Sequence, residues 1–122
     1  MNLRGIDLSG SNLSHVNFQF SDLSGAILTG AILSGANFAG ARVVGSKLNG
    51  VIAHDANFAG AYFRSSDFQH ADVTRAQFVD TDLWNVNLSY SIVEQANFKD
   101  AKVQNVDFTK TNLSTALGLR DL

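Results

Sequence analysis

The 122-residue chain contains no cysteine and no proline. Without cysteine there is no disulfide and no thiolate chemistry, and the redox compartment goes unmarked. Without proline, nothing interrupts strands that hydrogen-bond along both edges. Charge is sparse and mixed: nine Lys and Arg against eleven Asp and Glu, a formal net charge of −2. Nucleic-acid-binding surfaces are normally basic, so no nucleic-acid partner is expected. No apolar run approaches the length of a membrane span, and no secretory leader precedes the first periodic residue, so the expectation is a cytoplasmic protein with no membrane partner.

What the chain has instead is repetition, which outranks other signals in assigning a fold. Ala36-Asn37-Phe38-Ala39-Gly40 recurs letter for letter at Ala56-Asn57-Phe58-Ala59-Gly60, and Phe18, Phe38, Phe58, Phe78 and Phe98 are spaced by twenty residues. A shorter beat of five runs from Leu3 to Leu113, and its 23 central residues are Leu, Phe or Val except for Ala53. Two residues before each centre stands a small or β-branched residue, with Met1 and Ile6 the larger exceptions, and Asn or Asp lies between them in about half the units.

A period of five fits neither a helix nor a plain strand. It fits four residues that alternate inward and outward, followed by a fifth that turns a corner. Four such sides close a square coil of twenty residues. One large and one small inward residue per side can fill a narrow tube. The expected fold is therefore all-β: a quadrilateral β-solenoid of between five and six coils over residues 1–115, stacked at about 4.8 Å, with the five phenylalanines in one internal column. Ala53, between Leu33 and Val73, leaves either a small cavity or an inward movement of the wall.

The units Ala36-Asn37-Phe38, Ala56-Asn57-Phe58, Ala71-Asp72-Val73, Ala96-Asn97-Phe98 and Ser21-Asp22-Leu23 resemble those of the pentapeptide-repeat proteins, whose consensus is close to Ala-Asp/Asn-Leu/Phe-X-X. The resemblance covers residues 1–115 and implies a right-handed β-helix. It also implies that residues 116–122 form a short C-terminal cap, with Leu117, Leu119 and Leu122 available to fold across the last coil. No common activity comes with the resemblance. Some members mimic duplex DNA and bind DNA gyrase, presenting a strongly acidic surface. Here residues 61–115 carry seven acids against five bases and no projecting loop breaks the register, so this reading stands only as the alternative.

The twenty-residue stack also places outward residues beside one another. Asn17, Asn37, Asn57, Gln77 and Asn97 form an amide column, expected to hydrogen-bond from coil to coil. On the wall centred on Leu3, Leu23, Val43, Phe63, Leu83 and Val103, one column runs Asn2, Asp22, Arg42, Tyr62, Asp82, Lys102 and the other Arg4, Ser24, Val44, Arg64, Trp84, Gln104. Arg64 beside Trp84 and Arg42 beside Tyr62 suit cation–π contact. Aromatic and arginine side chains together are the composition of interface hot spots. Arg42, Val44, Tyr62, Arg64 and Trp84 are accordingly the candidate interaction surface; self-contained pairing on a solvated wall is the other reading. Ile32, Ile52 and Ile27 form a smaller apolar patch.

His15, His54 and His70 fall on different coils or sides with no shared carboxylate cluster, and no nucleophile–base pair meets the requirements of a catalytic site. No enzymatic activity, metal or cofactor is expected. The most direct reading is an interaction scaffold for an unidentified protein partner. The first coil, with Leu3, Leu8, Leu13 and Phe18 at an open edge, suggests a weak end-to-end homodimer. Glycine occupies most fifth positions up to Gly60 and none from Ser65 to Thr115. Type II corners are therefore expected in the first half and mainly other turns in the second.

Overall fold

A computed structural model describes residues 1–119. The chain winds as a square coil in which residue n lies beside residue n + 20, joined by parallel bridges from Asn2↔Asp22 through Asp82↔Lys102 to Asn97↔Leu117. One pattern of backbone hydrogen bonds repeats along the coil. The centre N–H donates to the next coil, as from Leu23 to the Arg42 carbonyl at 2.7 Å; the N–H one residue earlier donates to the previous coil, as from Arg42 to Ser21 at 2.9 Å. The strands are only a few residues long because each side must end at a corner. Pairing between coils, rather than strand length, holds the sheets together.

Inside the tube the phenylalanine column forms. Ring centroids of Phe18, Phe38, Phe58, Phe78 and Phe98 are separated by 4.9, 5.3, 5.0 and 4.9 Å in succession. The coil of residues 61–80 is the richest in internal rings. Phe63, Phe68 and Phe78 meet there edge to face, and Phe58 from the coil below adds its own edge contacts to Phe63 and Phe68. Ala53 is fully buried on the wall opposite Phe63. The ladder runs unbroken through it: Leu33 donates to Ile52 at 2.6 Å and Ala53 to Asp72 at 2.8 Å.

The corners differ from the expectation. Every fifth residue from Gly5 to Lys110 has positive φ, including Ser65 (61°), Arg75 (57°), Asn85 (61°) and Lys110 (57°). The centre carbonyl accepts from the N–H three residues on, as Leu3 from Ile6 and Phe63 from Ser66. Positive φ confined to the third turn residue is the type II pattern, so this corner persists after glycine has gone. The reason lies in the ladder. From Gly5 to Tyr90 each corner N–H donates to a carbonyl of the next coil, as Gly45 to Arg64 at 2.8 Å and Ser65 to Trp84 at 3.1 Å. A different turn would take that donor out of line and break the stacking for every later coil. The local cost of a left-handed non-glycine residue, about 1–2 kcal/mol, is offset by keeping register. Corner side chains then stack on one another: His70 lies on Tyr90 at 5.2 Å, and Arg75 grips Asp55 with bonds of 2.9 and 3.0 Å.

The amide column also behaves differently. Asn17, Asn37, Asn57 and Asn97 each accept, through Oδ1, the backbone N–H two residues later, at 2.9 to 3.0 Å. Asp22, Asp67, Asp72, Asp82 and Asp107 do the same. That N–H enters the corner and has no backbone acceptor, and a short Asx side chain reaches it. Local capping therefore explains the Asn/Asp preference. Coil-to-coil bonding within the column is confined to Asn97 Nδ2 donating to Gln77 Oε1 at 3.4 Å, at the position where a longer side chain replaces Asn.

At the C-terminal end, Leu117 does not fold inward. It continues the ladder, donating to Ala96 at 2.9 Å and accepting from Phe98 at 2.8 Å, with its side chain 55% exposed. Leu119 packs against the core. Between them Gly118 presses on the backbone below, where a Cβ would come within 2.5 Å of the Lys99 nitrogen. Leu122 lies outside the described residues.

Candidate functional site

Most outward columns carry small polar side chains used up in capping. The wall holding Arg42, Val44, Tyr62, Arg64 and Trp84 is different. Consecutive bridges Arg42↔Tyr62, Tyr62↔Asp82 and Asp82↔Lys102 bring four large or charged residues into one file. Val44, Arg64 and Trp84 stand in the parallel file two residues away.

Asp82 organises this wall. One carboxylate oxygen accepts the Trp84 backbone N–H at 3.1 Å, and the other accepts Arg64 Nε at 2.7 Å. Asp82 is only 6% exposed, because Arg64 from the coil below and Trp84 from its own turn lie over it. The Arg64 guanidinium carbon is in turn 5.5 Å from the Trp84 ring centroid. Cation, indole and carboxylate thus fix one another, leaving Trp84 40% and Tyr62 50% exposed. Pre-ordering of this kind lowers the entropic cost of binding. Arg42, Val44, Tyr62, Arg64, Asp82 and Lys102 line a shallow depression of ≈ 360 Å³.

The expected pairs separate here. Arg64 and Trp84 make the cation–π contact; Arg42 and Tyr62 are in register but do not stack as one. Asp82 and Lys102 complete the depression and lie outside the five-residue candidate surface expected from the sequence. Spacings of twenty and forty residues from Tyr62 put Asp82 and Lys102 in its column.

The histidines need one correction. His54 Nε2 lies 2.7 Å from Asp72 Oδ2, a contact across eighteen residues that connects adjacent coils. Asp72 is pulled in two directions: partial burial favours its neutral form, but hydrogen bonds from His54 and Thr74 outweigh this and hold its carboxyl below the ordinary value of 3.8. Among the described residues no group of three His, Asp or Glu is placed to hold a metal ion, and no helix is long and apolar enough to cross a membrane.

Family comparison bears on the coil as a whole. The model for pentapeptide repeats (8 copies) matches residues 1–30 and 11–50, and that for the pentapeptide repeat region matches residues 51–117. The chain belongs to the pentapeptide-repeat family. Its coil is the right-handed quadrilateral β-helix of that family. Among solved pentapeptide-repeat structures, alr5209 from Nostoc PCC 7120 is 30% identical with a TM-score of 0.58, over 62% of this chain and 60% of that one. HetL from Nostoc sp. strain PCC 7120, a pentapeptide-repeat protein involved in heterocyst differentiation regulation, is 23% identical with a TM-score of 0.53, over 94% of this chain and 60% of that one. This pentapeptide-repeat chain thus spans about 60% of the length of each. No curated protein matches it. The likeness to HetL concerns the fold.

Proposed function

We propose that this pentapeptide-repeat solenoid is a non-enzymatic scaffold that binds a partner protein through the wall formed by Arg42, Val44, Tyr62, Arg64 and Trp84. The observation that carries the reading is the Asp82–Arg64–Trp84 arrangement beside the depression. An exposed indole and guanidinium are held in a fixed pose next to a second exposed ring, Tyr62. Trp, Tyr and Arg are the residue types that dominate binding energy at interfaces when water is excluded around them.

The test is capture from host lysate by the wild-type chain, by Trp84→Ala and Tyr62→Ala, and by Ile92→Ala on another wall. Loss of the same captured protein in the first two variants only, with circular dichroism unchanged and the fold intact at the assay temperature, supports the reading. Equal capture by all four proteins overturns it.

A further inference from the structure

The charge on this wall differs in sign from that of the chain. From residue 41 to 105, it carries Arg42, Arg64 and Lys102 against Asp82 alone, three cations minus one carboxylate, in a chain of net charge −2. Asp82 is buried and both its oxygens are engaged, so it presents little negative charge outward. Arg42 and Lys102 stand at the two ends of the depression with Tyr62 between them, and neither forms an ion pair among the described residues; Asp22, one rung from Arg42, is engaged by Arg4 and the Ser24 N–H. By contrast, Asp55, Asp72 and Glu94 face a single Arg75 on the wall that holds the His54–Asp72 contact.

Resting on the proposed function, we infer that the partner segment seated here is an extended acidic peptide running along the solenoid axis, with two carboxylates four residues apart and an aromatic or large apolar residue midway. Arg42 and Lys102 are three rungs apart, about 14 Å at the spacing of paired strands. An extended chain rises about 3.4 Å per residue, so side chains at i and i+4 are also about 14 Å apart and point the same way. The side chain at i+2 shares that face and falls midway along the depression, beside the step from Arg64 to Trp84. Glu-X-Phe-X-Glu meets all three demands: carboxylates on the two free cations, and a ring against Tyr62 and Trp84.

Trp84 is the single tryptophan of the chain, so it reports on its own site. The full chain is titrated with Ser-Glu-Ser-Phe-Ser-Glu-Ser, with the same peptide bearing Lys for Glu, and with a peptide of equal composition whose acids are adjacent. Trp84 emission and isothermal titration calorimetry are followed together, so that binding without a spectral change is still detected. The first peptide is expected to bind saturably and more weakly as salt rises. The Lys peptide should not bind, and the adjacent-acid peptide should bind at least tenfold more weakly. Arg42→Gln/Lys102→Gln, whose side chains are exposed, should lower affinity for the first peptide at least tenfold while the melting temperature is retained. No heat and no emission change with the first peptide, or equal affinity for the Lys peptide or in the double variant, overturns the acidic ligand. Equal affinity for the adjacent-acid peptide overturns the extended register. A lysate partner lost with Trp84→Ala but retained by Arg42→Gln/Lys102→Gln leaves the interaction wall standing and removes its acidic ligand.

Discussion

The guanidinium carbon of Arg64 lies 5.5 Å from the centroid of the Trp84 ring, one rung along the solenoid, and Asp82 holds it there through a 2.7 Å bond to Nε. Exposed cation–π pairs are worth about 0.5–1 kcal/mol, and a hydrogen bond to a charged group about 1.5–3 kcal/mol. Trp84→Ala should therefore destabilise less than Asp82→Ala, which removes both the Arg64 partner and the cap on the Trp84 N–H. Asp82→Asn, which keeps an acceptor for that N–H, should fall between them. Urea denaturation of the three variants checks the order.

Gly35 and Gly45 share a corner conformation, with φ of 67° and 65°, but only Gly35 is crowded. A Cβ there would come 2.4 Å from the His15 ring, whereas nothing lies within 4 Å at Gly45. Gly35→Ala should be more destabilising than Gly45→Ala, where only the left-handed conformation costs, about 1–2 kcal/mol. In a His15→Ala background the two substitutions should become equal. A double-mutant cycle read by thermal unfolding decides it.

Asn57 accepts the Ala59 N–H at 3.0 Å. Asn57→Ala should cost about 0.5–2 kcal/mol, as loss of a comparable cap does at a helix start. Asn57→Asp should retain most of the stability, since the accepting oxygen stays. If the column acted mainly by amide–amide bonding between coils, Asp would be as damaging as Ala. Melting temperatures of the two variants separate these outcomes.

Ala53→Leu should destabilise. The residue is fully buried opposite Phe63, and overfilling a packed core costs about 1–3 kcal/mol. Pairing it with Phe63→Leu should recover part of the loss, because the two side chains face the same section of tube. Equilibrium unfolding of the single and double variants measures the coupling.

Acid should weaken the fold only at low pH. Hydrogen bonds from the Ser9 and Thr109 side chains hold the Asp7 and Asp107 carboxyls below 3.8; the Ser24 backbone N–H does so for Asp22, and the Arg75 side chain for Asp55. A carboxylate whose folded value is depressed contributes stability that is fully present above its unfolded value. That stability fades as pH falls through the lower folded value. Denaturation midpoints should stay flat on this account from neutral pH to about 5 and drop below about 4. Asp55→Asn should flatten the acid limb.

The proposed interaction wall is partly legible in the sequence. Twenty-residue spacing alone puts Arg64 beside Trp84 and Tyr62 between Arg42 and Asp82, because residues n and n + 20 must be neighbours in a four-sided coil. Spacing does not show which neighbours touch. Arg42 and Arg64 each stand twenty residues before an aromatic, yet only Arg64 reaches a ring, since the buried Asp82 carboxylate draws its guanidinium across. The His54–Asp72 contact was hidden for a similar reason: it joins different positions of successive coils rather than members of one column.

For the fold, the repeat itself determined the architecture: inward Leu, Phe and Val at every fifth position, with a small residue two places earlier, fill a square tube and leave little else to choose. Local residue chemistry did not determine the corners. The loss of glycine after Gly60 predicts a change of turn, but Ser65 through Lys110 keep positive φ. From Gly5 to Tyr90 each corner N–H meets a carbonyl of the next coil nineteen positions on, and that requirement acts from outside the turn. The use of the asparagines was likewise settled in three dimensions, where the corner geometry leaves one N–H without a backbone acceptor and puts the Asx oxygen within reach of it.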